Sequence, residues 1–293
     1  MSDTTLKLKD NWRALAADWN DTRPATRIRA HYLLERELAT QLLKSSSGER
    51  TELYRKLYDE LFAKLPDHPQ HTREPAQDDA VQSQIELLTN LVPEGARFAE
   101  IGAGDCRVTV GLAPHCSSVT AIDVSDLVQS AEERPANFSF VKIDGKHLPF
   151  PENSLDFIYS NQLMEHLHPD DAFEQIHEIY RVLSPGGVYF CVTPHAFTGP
   201  HDVSRYFDDK PTGFHLKEYR YAELTRLFRE AGFARSAIVW ARRSGHMVVQ
   251  TRLGILIESI LEGPLSSLRG RLASVSKIRG LLGIMILGFK DGR

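Results

Sequence analysis

This 293-residue chain predicts an α/β protein, with a mostly parallel sheet covered by helices on both faces. Three observations carry that prediction. From Val81 onward, short apolar runs alternate with amphipathic helical stretches, the pattern of parallel strands joined by helices. Glycines and polar residues recur where the apolar runs end, which is where such sheets bind ligands. A helical stretch precedes this block and a basic, apolar stretch follows it.

The elements follow in order. A helix over Arg27 to Lys44 ends at the breaker cluster Ser45-Ser46-Ser47-Gly48. Over Gly48 to Leu65, Leu53, Tyr54, Leu57, Tyr58, Leu61, Phe62 and Leu65 recur on one helical face. That face has something to pack on but offers no chemistry. Pro66 to Asp79, with three prolines and two histidines, is a connector. Val81 to Leu91 is a helix. Strands are expected at Arg97 to Ile101, Ser118 to Ile122, Phe138 to Ile143, Leu155 to Tyr159, Val188 to Thr193 and Ala234 to Trp240. Helices Ala172 to Leu183 and Tyr221 to Ala231 stop at Ser184-Pro185-Gly186-Gly187 and at Gly232. The expected organisation is a helical extension and linker over 1–79, a main domain over 80–246 and a basic, apolar helical tail over 247–293.

Composition narrows the class. Charged residues are 25% and hydrophobic residues 42%, ordinary for a globular chain. Cys106, Cys116 and Cys191 form no CxxC pair, which excludes a disulfide scaffold and a zinc module. Met1 to Asp10 is polar, so no secretory signal is expected and a cytoplasmic location is. Gly280 to Phe289 is apolar for ten residues, against about 20 needed to span a bilayer. The net charge of −4 argues against a nucleic-acid partner.

The chemistry centres on Phe98-Ala99-Glu100-Ile101-Gly102-Ala103-Gly104-Asp105, a strand running into a glycine turn that opens a helix. Glycines let the backbone approach a ligand, and the helix start offers free N–H groups. A dinucleotide fingerprint needs a third glycine where this chain has Arg107. S-adenosyl-L-methionine (SAM) has no pyrophosphate, and Glu100 beside the glycine loop suits its amine-bearing methionine group. Asp123 ends the next strand and suits acceptance from two ribose hydroxyls; its alternative is a helix N-cap. Asp144-Gly145 ends the third strand, where a carboxylate can accept from an adenine amine; its alternative is a simple turn former.

Four segments then resemble the class I SAM-dependent methyltransferases over residues 81–195, in particular the methyltransferase type 11 group that includes ubiquinone- and menaquinone-biosynthesis enzymes. They are Glu100 to Gly104, Ala121 to Ser125, Asp144 to Asp156 and Glu178 to Gly187. The resemblance implies a Rossmann-like, seven-stranded sheet and SAM as cofactor, with S-adenosyl-L-homocysteine (SAH) as product. It implies that Gly102 and Gly104, with Ala103 between them, back the methionine part. Asp123, next to Val124, holds the ribose, Asp144, next to Gly145, holds the adenine amine, and Asn161 lies beside the cofactor. One departure is Asp105-Cys106 where the family commonly has another glycine, which narrows the loop. Thr198 to Tyr206 and Gly213 to Tyr219 resemble bacterial methyltransferases of sugar and polysaccharide pathways.

Methyl transfer from a sulfonium needs alignment above all. A hydroxyl acceptor also gains from a histidine base. His166, His195, His201 and His215 are all expected on the ligand side of the sheet; His166, His195 and His201 are the candidates for the base, with a structural role as the alternative for His166. A metal at His201-Asp202-Val203-Ser204 is not expected, because Asp202, Asp208 and Asp209 show no distinctive spacing. After the fourth strand, Ser160-Asn161-Gln162-Leu163 lacks the Pro-Pro-aromatic turn of nucleobase-amine methylation, and no Pro-Cys pair is present for base-carbon methylation. The expected function is O-methylation of a small-molecule or carbohydrate-type acceptor. Alternatives are N-methylation, another SAM chemistry, or a non-catalytic scaffold. Residues 247–293 carry a net +4 against −8 for the rest. They are expected to pack on the core or a second subunit, or to lie on anionic lipid as would suit a glycolipid acceptor.

Overall fold

The computed structural model describes residues 6–65, 75–125, 134–242, 245–273 and 275–292. Among these, eight strands form one sheet: β1 (Arg97–Ile101), β2 (Ser118–Asp123), β3 (Phe138–Lys142), β4 (Leu155–Asn161), β5 (Leu183–Thr193), β6 (Arg235–Arg242), β7 (Gly245–Gln250) and β8 (Ile284–Phe289). Their order is β3-β2-β1-β4-β5-β8-β6-β7. The neighbours from β3 to β5 pair in parallel. β8 runs antiparallel to both β5 and β6, and β7 pairs antiparallel with β6. The sheet is Rossmann-like, with eight strands where seven are expected.

Ten helices surround it among the described residues: α1 (Trp12–Asp18), α2 (Ala25–Lys44), α3 (Ser47–Lys64), α4 (Pro75–Leu91), α5 (Arg107–Leu112), α6 (Pro169–Val182), α7 (Tyr221–Ala231), α8 (Thr251–Glu262), α9 (Arg269–Ala273) and α10 (Ser276–Leu282). Alternate residues of the strands feed two cores. Ala99, Ile101 and Ile158 pack with α2, α3, α6 and α7 on one face, while Phe98, Phe157 and Phe190 pack with α4 and α5 on the other. Strands buried on both faces read as continuous apolar runs rather than alternating ones.

Three expectations change. α2 and α3, which fall in the expected extension, pack into the main core: Leu38, Leu42, Tyr54, Leu57 and Leu61 belong to it, and Arg50 of α3 is clamped to Asp171 of α6 at 2.6 and 2.8 Å. The connector ends earlier than Asp79, because α4 starts at Pro75, a residue suited to a first helical turn; residues 66–74 lie outside the described residues. The tail is not all helical. Ile284 to Phe289, which resembles a buried helix segment in composition, is a strand in the middle of the sheet. A short apolar run does not reveal its period, and the β-branched Ile284 and Ile286 favour the extended form. No helix among the described residues is long and apolar enough to cross a membrane.

Candidate active site

A cavity of about 550 Å³ opens beyond the carboxyl ends of β1, β2 and β4. Strand order reverses between β1 and β4, the switch point where α/β sheets bind ligands, and the volume is that of a small-molecule site. The loop from β1 to α5 forms one wall. Gly104 has φ +51°, and a Cβ there would meet no atom within 4 Å, so this side of the cradle is open to a ligand. Cys106, where another glycine is common, takes φ +66°. The loop thus keeps a glycine-like path at a cost of about 1–2 kcal/mol, while the Cys106 side chain fills a buried pocket with Ala103 and Ala121.

Glu100 lines the cavity and is buried, with one oxygen accepting from Thr109 Oγ1. Burial, reinforced by the nearby Asp105 and Asp123, pushes its carboxyl up to about 8. Asp123 Oδ2 accepts from the Gly104 N–H at 2.9 Å, and Oδ1 accepts from Val124 N and Ser125 N at 2.7 and 3.2 Å. Burial raises Asp123, against the pull of those three N–H groups. Asp123 thus accepts from the two backbone N–H groups that directly follow it. Asp123 also clamps the glycine loop, and a carboxylate's four acceptor directions leave it one for a hydroxyl rather than two.

Asp144 departs from expectation. Its carboxylate accepts from the N–H groups of Lys146 and His147 and meets His147 Nδ1 at 2.7 Å. It closes its own turn instead of lining the cavity; its neighbours Ile143 and Gly145 line it. Donors two and three residues on give this carboxylate local partners, the geometry of a turn former.

Ala103, Val124 and Asn161 lie on the wall as expected. Asn161 Nδ2 donates to Gln84 Oε1 at 3.2 Å, which ties β4 to α4. Gln162, also on the wall, holds φ +53°, a strained conformation of the kind that gathers at functional sites. Sequence reasoning missed the far wall. Tyr54, Tyr58 and Phe62 project from α3 into the cavity, and Gln84 from α4. Their spacing of four residues was the available signal, but packing faces use the same spacing.

The three candidate histidines separate. His166, in the turn Met164–His166 after β4, lines the cavity. His195 does not: it is fully buried and sits 2.9 Å from Glu258 of α8. His201 is also off the cavity wall, 3.0 Å from Thr198 Oγ1, and burial pushes it down to about 4. His195 packs between the end of β5 and α8, and His201, in the loop that follows, packs against Thr198 and the Trp19 ring. His215, not among the candidates, lies against His166 with ring centroids 4.8 Å apart. Burial disfavours its charged form, yet Glu218, Glu165 and Asp202 outweigh that and lift it to about 9. One ligand atom from each of Glu165, His166 and His215 lies within 4.8 Å of the others.

Fold and site together place a cavity of small-molecule size at the head of a Rossmann-like sheet. Residues 99–191 match the family model of the methyltransferase domain. The chain is similar to a "probable S-adenosylmethionine-dependent methyltransferase" of Mycolicibacterium smegmatis, 36% identical over 99 residues, covering 32% of this chain and 36% of that one. It is similar to phosphoethanolamine N-methyltransferase 3 of Arabidopsis thaliana, 26% identical over 193 residues, covering 64% of this chain and 38% of that one. Both matches thus span under two-fifths of the relative's length. Among solved structures it is similar to phosphoethanolamine N-methyltransferase 2 of Haemonchus contortus in complex with SAH, at TM-score 0.47 and 18% identity, covering 72% of this chain and 53% of that one. The chain carries a class I SAM-dependent methyltransferase domain, whose cofactor is SAM.

The cavity fits that cofactor. Its volume suits a nucleoside with an amino-acid arm, and the open cradle at Gly104 leaves room for backbone-close binding. The buried carboxyl of Glu100 is the group that a cationic amine would compensate.

Proposed function

We propose that this protein transfers a methyl group from SAM to a hydroxyl of a small-molecule or carbohydrate-type acceptor. SAM, when bound, supplies an electrophilic methyl. Glu100, Gly102, Ala103 and Gly104 would hold its methionine arm, Asp123 and Val124 a ribose hydroxyl, and Gly145 and Asn161 the remaining edge of the nucleoside. Tyr58, Phe62, Leu163 and Leu167 give the rest of the cavity an apolar wall that excludes water. His166 is the histidine positioned beside the acceptor. The observation that carries the reading is that Glu100, Gly104, Asp123, Asn161 and His166 all face one cavity.

A phosphate-bearing acceptor, as in the name of the plant relative, would want a cation on the wall. The described lining offers Arg107, already paired with Asp105 and Asp78. This favours an uncharged acceptor. For a glycolipid, α8 supplies a surface, since Leu253, Leu256 and Ile260 are exposed beside Arg252. On that reading Leu256→Ser weakens co-sedimentation with anionic vesicles, and unchanged sedimentation removes the lipid from the proposal.

Calorimetric titration of SAM and SAH into the wild type and Asp123→Ala tests the cofactor site. The expected result is saturable binding, weakened at least about tenfold in the variant, which is about 1.4 kcal/mol. Equal binding by both would sink the assignment of Asp123. SAH release in the presence of hydroxylated and amine acceptors then separates O- from N-methylation.

A further inference from the structure

We propose that Glu165, His166 and His215 form a binding site for a divalent transition-metal ion of the zinc type, beside the acceptor end of the cavity. One ligand atom from each lies within 4.8 Å of the others. Two imidazoles and one carboxylate are a donor set that zinc and its neighbours favour, and three protein ligands leave a coordination position for an oxygen donor.

Two further observations point to a cation. Glu165 is fully buried; Oε2 accepts from Thr193 Oγ1 at 2.9 Å, but Oε1 has no hydrogen-bond partner among the described residues. An orphaned carboxylate oxygen in the interior is costly and calls for a partner. The outer groups on both rings are also those of a metal site. His166 Nδ1 lies 2.9 Å from the Phe214 carbonyl, which can only accept, so Nδ1 carries the hydrogen and the lone pair is at Nε2. His215 Nδ1 lies 2.9 Å from Glu218 Oε1, so the ring donates on that side, and its Nε2 would give up a proton to solvent as the metal binds. Metal-binding histidines are held in this way, with one nitrogen donating to a carbonyl or carboxylate and the other directed to the ion.

The inference rests on the methyl-transfer reading for what the ion would do. His166 lines the cavity, so the open position would take an acceptor oxygen, a hydroxyl or one of a vicinal pair. His166 would then position the acceptor through the metal instead of acting as a free base.

The test uses the full chain, stripped with a chelator and titrated with Co²⁺ while its d–d absorption is followed, with Zn²⁺ as competitor. One equivalent is expected to bind, with displacement by Zn²⁺. His215→Asn and Glu165→Gln are expected to weaken it at least about tenfold while still binding SAH. A wild type whose spectrum stays that of free Co²⁺ overturns the site, as do variants that titrate like the wild type. If either variant unfolds, proton NMR of the cobalt-loaded wild type decides. Two paramagnetically shifted imidazole N–H signals support the site, and their absence overturns it. Metal uptake without SAM or SAH binding would overturn the methyl-transfer reading and leave the site standing; SAM binding without metal uptake would do the reverse.

Discussion

At Glu100 two opposing demands meet, since the carboxyl is buried yet faces the cavity. Its folded value near 8 lies above its ordinary 4.5. The folded protein therefore holds more protons than the unfolded chain between those values, and stability falls as pH rises through that window. Glu100→Gln removes the dependence. In thermal melts at pH 5, 7 and 8.5, the variant's gain over the wild type is expected to grow with pH, to on the order of a few kcal/mol; a constant difference would contradict it. Gly145 is a second fixed point. It holds φ +93°, and a Cβ there would lie 3.0 Å from the Tyr54 ring. Gly145→Ala is expected to cost about 1–3 kcal/mol in urea unfolding and to weaken SAM binding by shifting Tyr54. Glu100, Gly104 and Asp123 were legible in the sequence because a strand–turn–helix fixes their spacing locally. Asp144 was not, because nothing in the sequence says whether a carboxylate turns to a ligand or to its own turn. His215 was legible as a ligand-side histidine, but its contact with His166 was not, because a long excursion through the loop after β5 brings the two together.

At the scale of elements, α3 matters most. Its inner face both completes the core and walls the cavity, and it is held by the buried Arg50–Asp171 pair, with the Tyr54 hydroxyl donating to Asp171 at 2.8 Å. Removing Arg50 leaves the buried Asp171 with Lys146 at 3.8 Å as its remaining cation. Arg50→Ala is expected to lower stability by about 3–5 kcal/mol, seen as a lower urea midpoint at unchanged slope, and a loss under about 1 kcal/mol would mean that α3 is only loosely seated. The parallel strands were readable from apolar runs closed by turn residues, but β5 begins five residues before the expected Val188, through the Ser184 to Gly187 stretch expected as a helix stop. α3 itself was also readable as a helix, within a residue at either end. Its place over the cavity was not, because a helical stripe records that a face is buried and not what buries it. β7 was missed because it is short and only partly buried, as suits an edge strand.

At the scale of the whole molecule, the sheet depends on β8. Truncation before Ile284 would strip β5 and β6 of their shared neighbour. The truncated chain is expected to lose cooperative thermal unfolding and to aggregate; a soluble product with a sharp transition would show the sheet to be divisible. Deleting residues 247–293 therefore tests folding before it tests any membrane contact, and point changes on α8 are the cleaner probe. The charge pattern of that region was legible, but its division into an outer helix and a central strand was not, since both are short and apolar. The position of β8 also bears on synthesis. While a ribosome is still making the chain, β5 and β6 are already outside with bare edges, and the strand that seals them leaves the exit tunnel only after residue 289. Until then the nascent chain presents two open templates for wrong pairing, so slower translation would lengthen the period at risk, and a chaperone that covers strand edges would act in that interval.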